Sequence, residues 1–145
     1  MKDVSLWNTS KVTVMSNLFD HAIAFNSSLS AWDVSKVVDM SKLFYNALAF
    51  NSDLSTWNVS KVTNLIRTFA SAAVFSSNIS NWDVSKVTTL HSTFKIATLF
   101  NSNISNWATS KVVSLVHTFD GAAAFNGGKC PSFNDVLILF TRKHN

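Results

Sequence analysis

The chain has 145 residues, of which 47% are hydrophobic and 14% charged, with a formal net charge of +4. This is enough apolar material for one packed domain and excludes a disordered chain. No apolar run approaches the roughly 18 residues of a spanning helix, the single Cys130 excludes an intrachain disulfide, and three Gly and one Pro leave the turns to Asn, Ser and Asp.

The N-terminus, "MKDVSLW", has one Lys and no apolar h-region, so no signal peptide is expected in this chain. The first apolar residues, Val4, Trp7 and Val12, open a pattern that returns every 25 residues without insertion. Trp7, Trp32, Trp57, Trp82 and Trp107 form one column. Lys11, Lys36, Lys61, Lys86 and Lys111 form another, followed by Val12, Val37, Val62, Val87 and Val112. Met15, Met40, Leu65, Leu90 and Leu115 make an aliphatic column. Two aromatic columns follow, from Phe19 to Phe119 and from Phe25 to Phe125. A period kept through five copies predicts a solenoid, because each repeat can bury its apolar side only against its neighbours.

One repeat, Leu54 to Phe75, predicts the local structure. Trp57 and Val59 are two apart, as on the buried face of a strand. Leu65, Phe69, Ala72 and Phe75 are spaced four, three and three, as on one face of a helix. Each unit should therefore hold a short strand near "LSTWNV", a turn at "SK" and a short helix near "NLIRTFASAAVF", with Thr63 or Asn64 as its N-cap. The fold class is then an α/β repeat solenoid of five strand–turn–short-helix units over residues 1–126. Strands pair at about 4.8 Å and helices pack at about 8–10 Å, so the stack should curve with its strands on the concave face. The first layer, around Val4, Trp7 and Val12, should be open. Either the chain is cut from a longer array or it associates through this end.

At the C-terminus Ser132 stands where a sixth Trp would fall. The segment "CPSFNDVLILFTRKH" is expected to form a cap over residues 127–145, with a helix starting at Asn134 or Asp135, or a strand at "VLILF".

The text "WDVSKVVDMSKLFYNALAFNSDLS", Trp32 to Ser55, resembles the BspA-like leucine-rich-repeat surface proteins. More closely, it is similar to their 25-residue subfamily, in which "WDVSxVTxMxxMFxxAxxFNQ" is typical. The resemblance covers roughly residues 4–126. It implies a right-handed leucine-rich-repeat-type solenoid and a cell-surface or extracellular role in adhesion or recognition.

The candidate binding residues follow from the repeat. The Trp column shares strand parity with Val two residues on and should point inward. The residues flanking it vary between copies and should face solvent: Asp33, Thr56, Asn58, Asn81, Asp83 and Asn106, with Leu6, Asn8, Ala31 and Ala108. Solenoids bind through such surfaces. The basic stripe Lys11, Lys36, Lys61, Lys86 and Lys111 should line one rim, where it could hold an acidic glycan, a nucleic acid or an anionic surface. Its other reading is a solvated edge that discourages aggregation. Aromatic interleaving for single-stranded nucleic acid is not visible. Asn26, Asn51, Asn101 and Asn126 should satisfy backbone groups of stacked turns. The N-x-S/T sequons at Asn8, Asn26, Asn58, Asn78 and Asn103 matter only in a chain secreted by a eukaryote.

Nothing points to catalysis. His21, His91, His117 and His144 share no repeat column with one another. His91 and His117 fall on adjacent predicted helices but lack thiolate or carboxylate company for a metal. No Gly-rich phosphate loop is present, and no Ser is paired with a His at defined spacing. The expectation is a non-enzymatic, cofactor-free module binding a protein or glycan through the concave face or the Lys rim. The alternative is a structural protein that self-assembles through its open N-terminal end.

Overall fold

The computed structural model describes residues 4–126 together with Cys130 and Pro131. The five repeats stack as layers beginning near Val4, Leu29, Leu54, Ile79 and Ile104. The expected secondary structure is overturned. The described residues contain no helix, and their only strand-like pairing is a column of single-residue parallel bridges joining Val14, Asp39, Asn64, Thr89 and Ser114. The predicted strand "LSTWNV" is a turn at Ser55 and Thr56 followed by irregular backbone, and most of the predicted helix is a run of turns over 66–71. The α/β, leucine-rich-repeat-like description therefore does not hold.

The physical reason lies in where the backbone N–H groups go. In a helix each would bond four residues back. Here Leu65, Arg67, Phe69 and Ser71 donate instead to the carbonyls of Thr89, His91, Thr93 and Lys95 in the next layer, at 2.7–3.4 Å. The amides between them close tight turns three residues back, Thr68 to Leu65, Ala70 to Arg67 and Ala72 to Phe69. The same four inter-layer bonds join every pair of successive layers, from Met15, Asn17, Phe19 and His21 onward. Two further columns run the opposite way, as in Val38 to Thr13 and Ala49 to Ile23.

This ribbon requires left-handed backbone twice per layer. Asn17 and His21, Lys42 and Asn46, Arg67 and Ser71, Ser92 and Ile96, and His117 and Gly121 all have φ of 53–71°. An L-residue there costs roughly 1–2 kcal/mol. In the first four layers the N–H of each such residue makes an inter-layer bond of about 0.5–1.5 kcal/mol, so the backbone nearly breaks even and burial must supply the net stability.

Burial does so in ladders. Phe44 and Phe50 stack at 3.8 Å within their layer, and Phe69 and Phe75 at 4.0 Å within the next. Between layers Phe44 meets Phe69 at 5.6 Å and Phe50 meets Phe75 at 6.0 Å. The indole N–H groups of Trp32, Trp57, Trp82 and Trp107 each donate to a carbonyl 28 residues back, on Val4, Leu29, Leu54 and Ile79. The inward Trp column thus satisfies its polar atom as well as its rings. Buried Thr68, Thr93 and Thr118 make an equivalent downward bond to Met40, Leu65 and Leu90.

Curvature was expected from helices wider than strands. With no helices and no strand face, that cause is gone, and so is the concave strand surface. Thr63 and Asn64 cap no helix. Thr63 Oγ1 donates to the Val38 carbonyl, and Asn64 Oδ1 accepts from the Ile66 N–H. The expected C-terminal cap falls almost wholly outside the described residues.

Candidate ligand-facing surface

Asn, Asp and Ser build the outer turns. Asn8, Asp33, Asn58 and Asp83 each accept a bond at Oδ1 from the backbone N–H two residues on, at Ser10, Ser35, Ser60 and Ser85. Asp53, Asn78 and Asn103 do the same for Ser55, Ser80 and Ser105. These Asx-turns supply the bends that Gly would otherwise make. Asn26 Oδ1 accepts from the Asn51 N–H and Asn51 Oδ1 from the Ser76 N–H, a ladder of the kind expected for that column.

The candidate binding residues are exposed, but they are not equally available. Asp33, Asn58 and Asp83 have an oxygen committed to their own turn. The Ser35 and Ser85 hydroxyls and N–H groups hold the Asp33 and Asp83 carboxyls below the ordinary value, with a smaller effect from Lys36 and Lys86. Thr56 Oγ1 leans on the Ser30 carbonyl at 3.4 Å. Asn81 and Asn106 are exposed beside their tryptophans. Lys11, Lys36, Lys61, Lys86 and Lys111 are exposed in all five layers, and none is in an ion pair among the described residues. Their column advances by one layer per residue, about 5 Å.

A second basic group lies on the turn ribbon, and sequence spacing had suggested only half of it. His91 and His117 approach edge to face with ring centroids 6.2 Å apart. Arg67, Lys95 and His117 act on His91 together: burial first, then these three charges, push its pKa below the ordinary value. Arg67 was missed because it sits 24 residues before His91. No residue-type signal marked it, because the 24-residue offset is set by the backbone: the Arg67 N–H to His91 carbonyl bond at 3.0 Å recurs between each pair of successive layers. His117 Nδ1 pairs with Asp120. His21 lies between Asp20 and Asn46 at the other end of the stack. Among the described residues no three of His, Cys, Asp and Glu come together as metal ligands. Burial pushes the Cys130 thiol up to about 11, so at neutral pH it is not a thiolate nucleophile. No described helix is long and apolar enough to cross a membrane.

A stack in which every layer repeats the same bonds to the next defines a repeat protein. The family described as Mycoplasma protein of unknown function, DUF285, matches residues 1–85 and again 50–135. The chain belongs to that family. No curated protein matches the chain. No solved structure matches it either.

Proposed function

We propose that this chain is a BspA-like, non-enzymatic surface recognition module that holds an acidic protein or glycan along its lysine column. One observation carries this reading. The Lys column is constant in all five repeats and exposed in all five, yet it has no ion pair within the described fold. The Trp column is buried in four of its five copies, and Asn8, Asp33, Asn58 and Asp83 beside it each have an oxygen bonded to backbone. Five ammonium groups about 5 Å apart repel by roughly 0.8 kcal/mol per neighbouring pair even in water, and an extended polyanion would relieve that repulsion. Asp33 and Asp83 soften it in two of the five layers. The experiment is a glycan and protein array, followed by charge reversal at Lys36, Lys61 and Lys86. Binding is expected to be salt-dependent and lost on reversal; binding that survives would place the ligand elsewhere.

A structural role through the N-terminal end is the second reading, and a specific observation favours it. Trp7 is 50% exposed, where the other four tryptophans are 4% exposed. The carbonyls of Val14, Ser16, Leu18 and Asp20 accept nothing among the described residues, although their equivalents in every later layer are all bonded. Four carbonyls of the turn ribbon therefore face outward at this end, while the first-layer amides equivalent to Val38 and Ala49, those of Thr13 and Ala24, point the same way as donors, so a partner must supply both N–H groups and carbonyls. Concentration-dependent sedimentation that Trp7→Lys abolishes would support this role, and a monomer at all concentrations would oppose it.

A further inference from the structure

Beside the constant lysine column, the turn ribbon carries positions whose residue type changes from layer to layer. Three positions of the turn ribbon, two adjacent and one three residues on, vary between layers. They read Ser16, Asn17 and Asp20 in the first layer and Ser41, Lys42 and Tyr45 in the second. In the third they are Ile66, Arg67 and Ala70, and in the fourth His91, Ser92 and Lys95. The first layer folds with no cation there, so the fold itself does not require one. Yet the third and fourth layers gather Arg67, His91 and Lys95 on one patch, with His117 of the fifth layer against His91 at 6.2 Å.

The register explains how they meet. The Arg67 N–H bonds to the His91 carbonyl at 3.0 Å, which joins the Arg67 backbone to His91 in the next layer. The Lys95 N–H closes back on the Ser92 carbonyl at 3.2 Å, within the same run of turns that carries His91. The Asp120 carboxylate is paired with His117. Arg67, His91 and Lys95 are in no ion pair among the described residues. A concentration of like charge with no counter-charge is unfavourable to the fold and marks a functional candidate. It also repels a metal cation.

We infer that Arg67, His91 and Lys95 form a binding site for a compact oxyanion carrying two negative charges, a phosphate or sulfate group. Arg offers a fork of donors to two oxygens, Lys a third point charge, and protonated His91 a fourth contact. The lysine column is a separate column of the repeat, five residues before the first of these ribbon positions, as Lys86 is before His91. The charged and titratable groups facing His91 are Arg67, Lys95 and His117, the last backed by Asp120. A bound dianion reverses their combined repulsion, so it draws a proton onto His91, and affinity rises as pH falls.

The test uses the full chain and follows the His91 ring by NMR through a pH titration, at constant ionic strength, with sodium sulfate, inorganic phosphate, methyl phosphate or chloride. Sulfate keeps its charge across the titration, so its pH dependence comes from the protein, and the His91 ring signal isolates His91 from His117. Sulfate and phosphate are expected to raise the His91 midpoint saturably, and chloride is not. Arg67→Ala and Lys95→Ala should each weaken sulfate binding about tenfold, while Lys36→Ala should leave it unchanged. Methyl phosphate should bind within about threefold of phosphate, because an exposed site lets the ester point outward. A midpoint indifferent to sulfate, a shift that chloride reproduces, exclusion of the monoester, or binding that survives both alanine variants would overturn the assignment. Arg67→Lys guards against a folding artefact: it keeps the charge and should retain part of the shift.

Discussion

The indole N–H of Trp57 donates to the carbonyl of Leu29, 28 residues earlier, at 3.1 Å. This bond joins two layers through a side chain in a region where no backbone ladder does. Trp57→Phe keeps a ring in place and strands a buried carbonyl, so it should cost about 1–2 kcal/mol in chemical denaturation. Trp7→Phe should cost close to nothing, because Trp7 is half exposed and its indole has no acceptor among the described residues. Equal costs for the two variants would show that the bond contributes little.

Phe69 stacks on Phe75 at 4.0 Å, on Phe44 at 5.6 Å and on Phe94 at 5.7 Å. It is fully buried. Phe69→Ala should destabilise by about 3–5 kcal/mol. Because layers couple only to neighbours, hydrogen exchange should rise first in the second, third and fourth layers, and uniform loss of protection would count against a layered fold.

Ile96 is the one β-branched residue among the left-handed positions, at φ 58°, and nearly half its side chain is exposed. Asn46 occupies the same column in the second layer. Ile96→Asn should therefore stabilise by about 1 kcal/mol, through relief of backbone strain with little burial lost. Gly121→Ala should act the other way. Its φ is +71°, and an added Cβ would meet Ile96 Cγ1 at 3.2 Å. Thermal melts of the two variants should move in opposite directions.

The carboxyls of Asp33, Asp53 and Asp83 are held below 3.8 by bonds from Ser35, Ser55 and Ser85. A folded pKa below the unfolded one means that the contribution is present above about pH 4 and is lost as pH falls through the folded value. Asp33→Asn and Asp83→Asn should preserve neutral-pH stability, since Asn58 makes the same turn, and should reduce the loss on acidification. His91 follows the same sign: its folded pKa lies below 6.5, so its contribution is full above that pH and declines as acid charges it. His91→Gln should flatten the stability profile just below neutrality.

Cys130, pushed up to about 11, should react with iodoacetamide at pH 8 on the order of tenfold to a hundredfold more slowly in the folded chain than in denaturant. A fast native reaction would show that its thiol is not held in the packed structure.

The repeat, its register and the inward face of the tryptophans were legible because they rest on residue type at fixed intervals. The turn-satisfying role of Asn26 and Asn51 was legible for the same reason. The helix was misread for a particular cause. Leu65, Phe69, Ala72 and Phe75 return to the core every three or four residues, which a helix would also produce. Here three-residue turns bring each side chain back inward while alternate N–H groups leave the layer. Hydrophobic spacing reports which face is buried and is blind to where the amides point. What the sequence did hold against a helix was Asn17, Asn46 and Gly121 at the left-handed positions, residues that tolerate positive φ. The basic patch was half legible: the His91 and His117 approach followed from adjacency, but Arg67 joined it only through a 24-residue offset set by those same amides.

That offset gives the molecule a direction. Four columns of peptide groups point their N–H toward the C-terminal end and two point back, and each peptide carries a dipole of about 3.5 D. The layers therefore sum to a net polarisation along the stack, electronegative at the edge of Val14, Ser16, Leu18 and Asp20, and growing with each layer added. It resides in the backbone, so no exchange of surface side chains can erase it. The protein has a head and a tail in the electrical sense, as an α-helix does, without containing one.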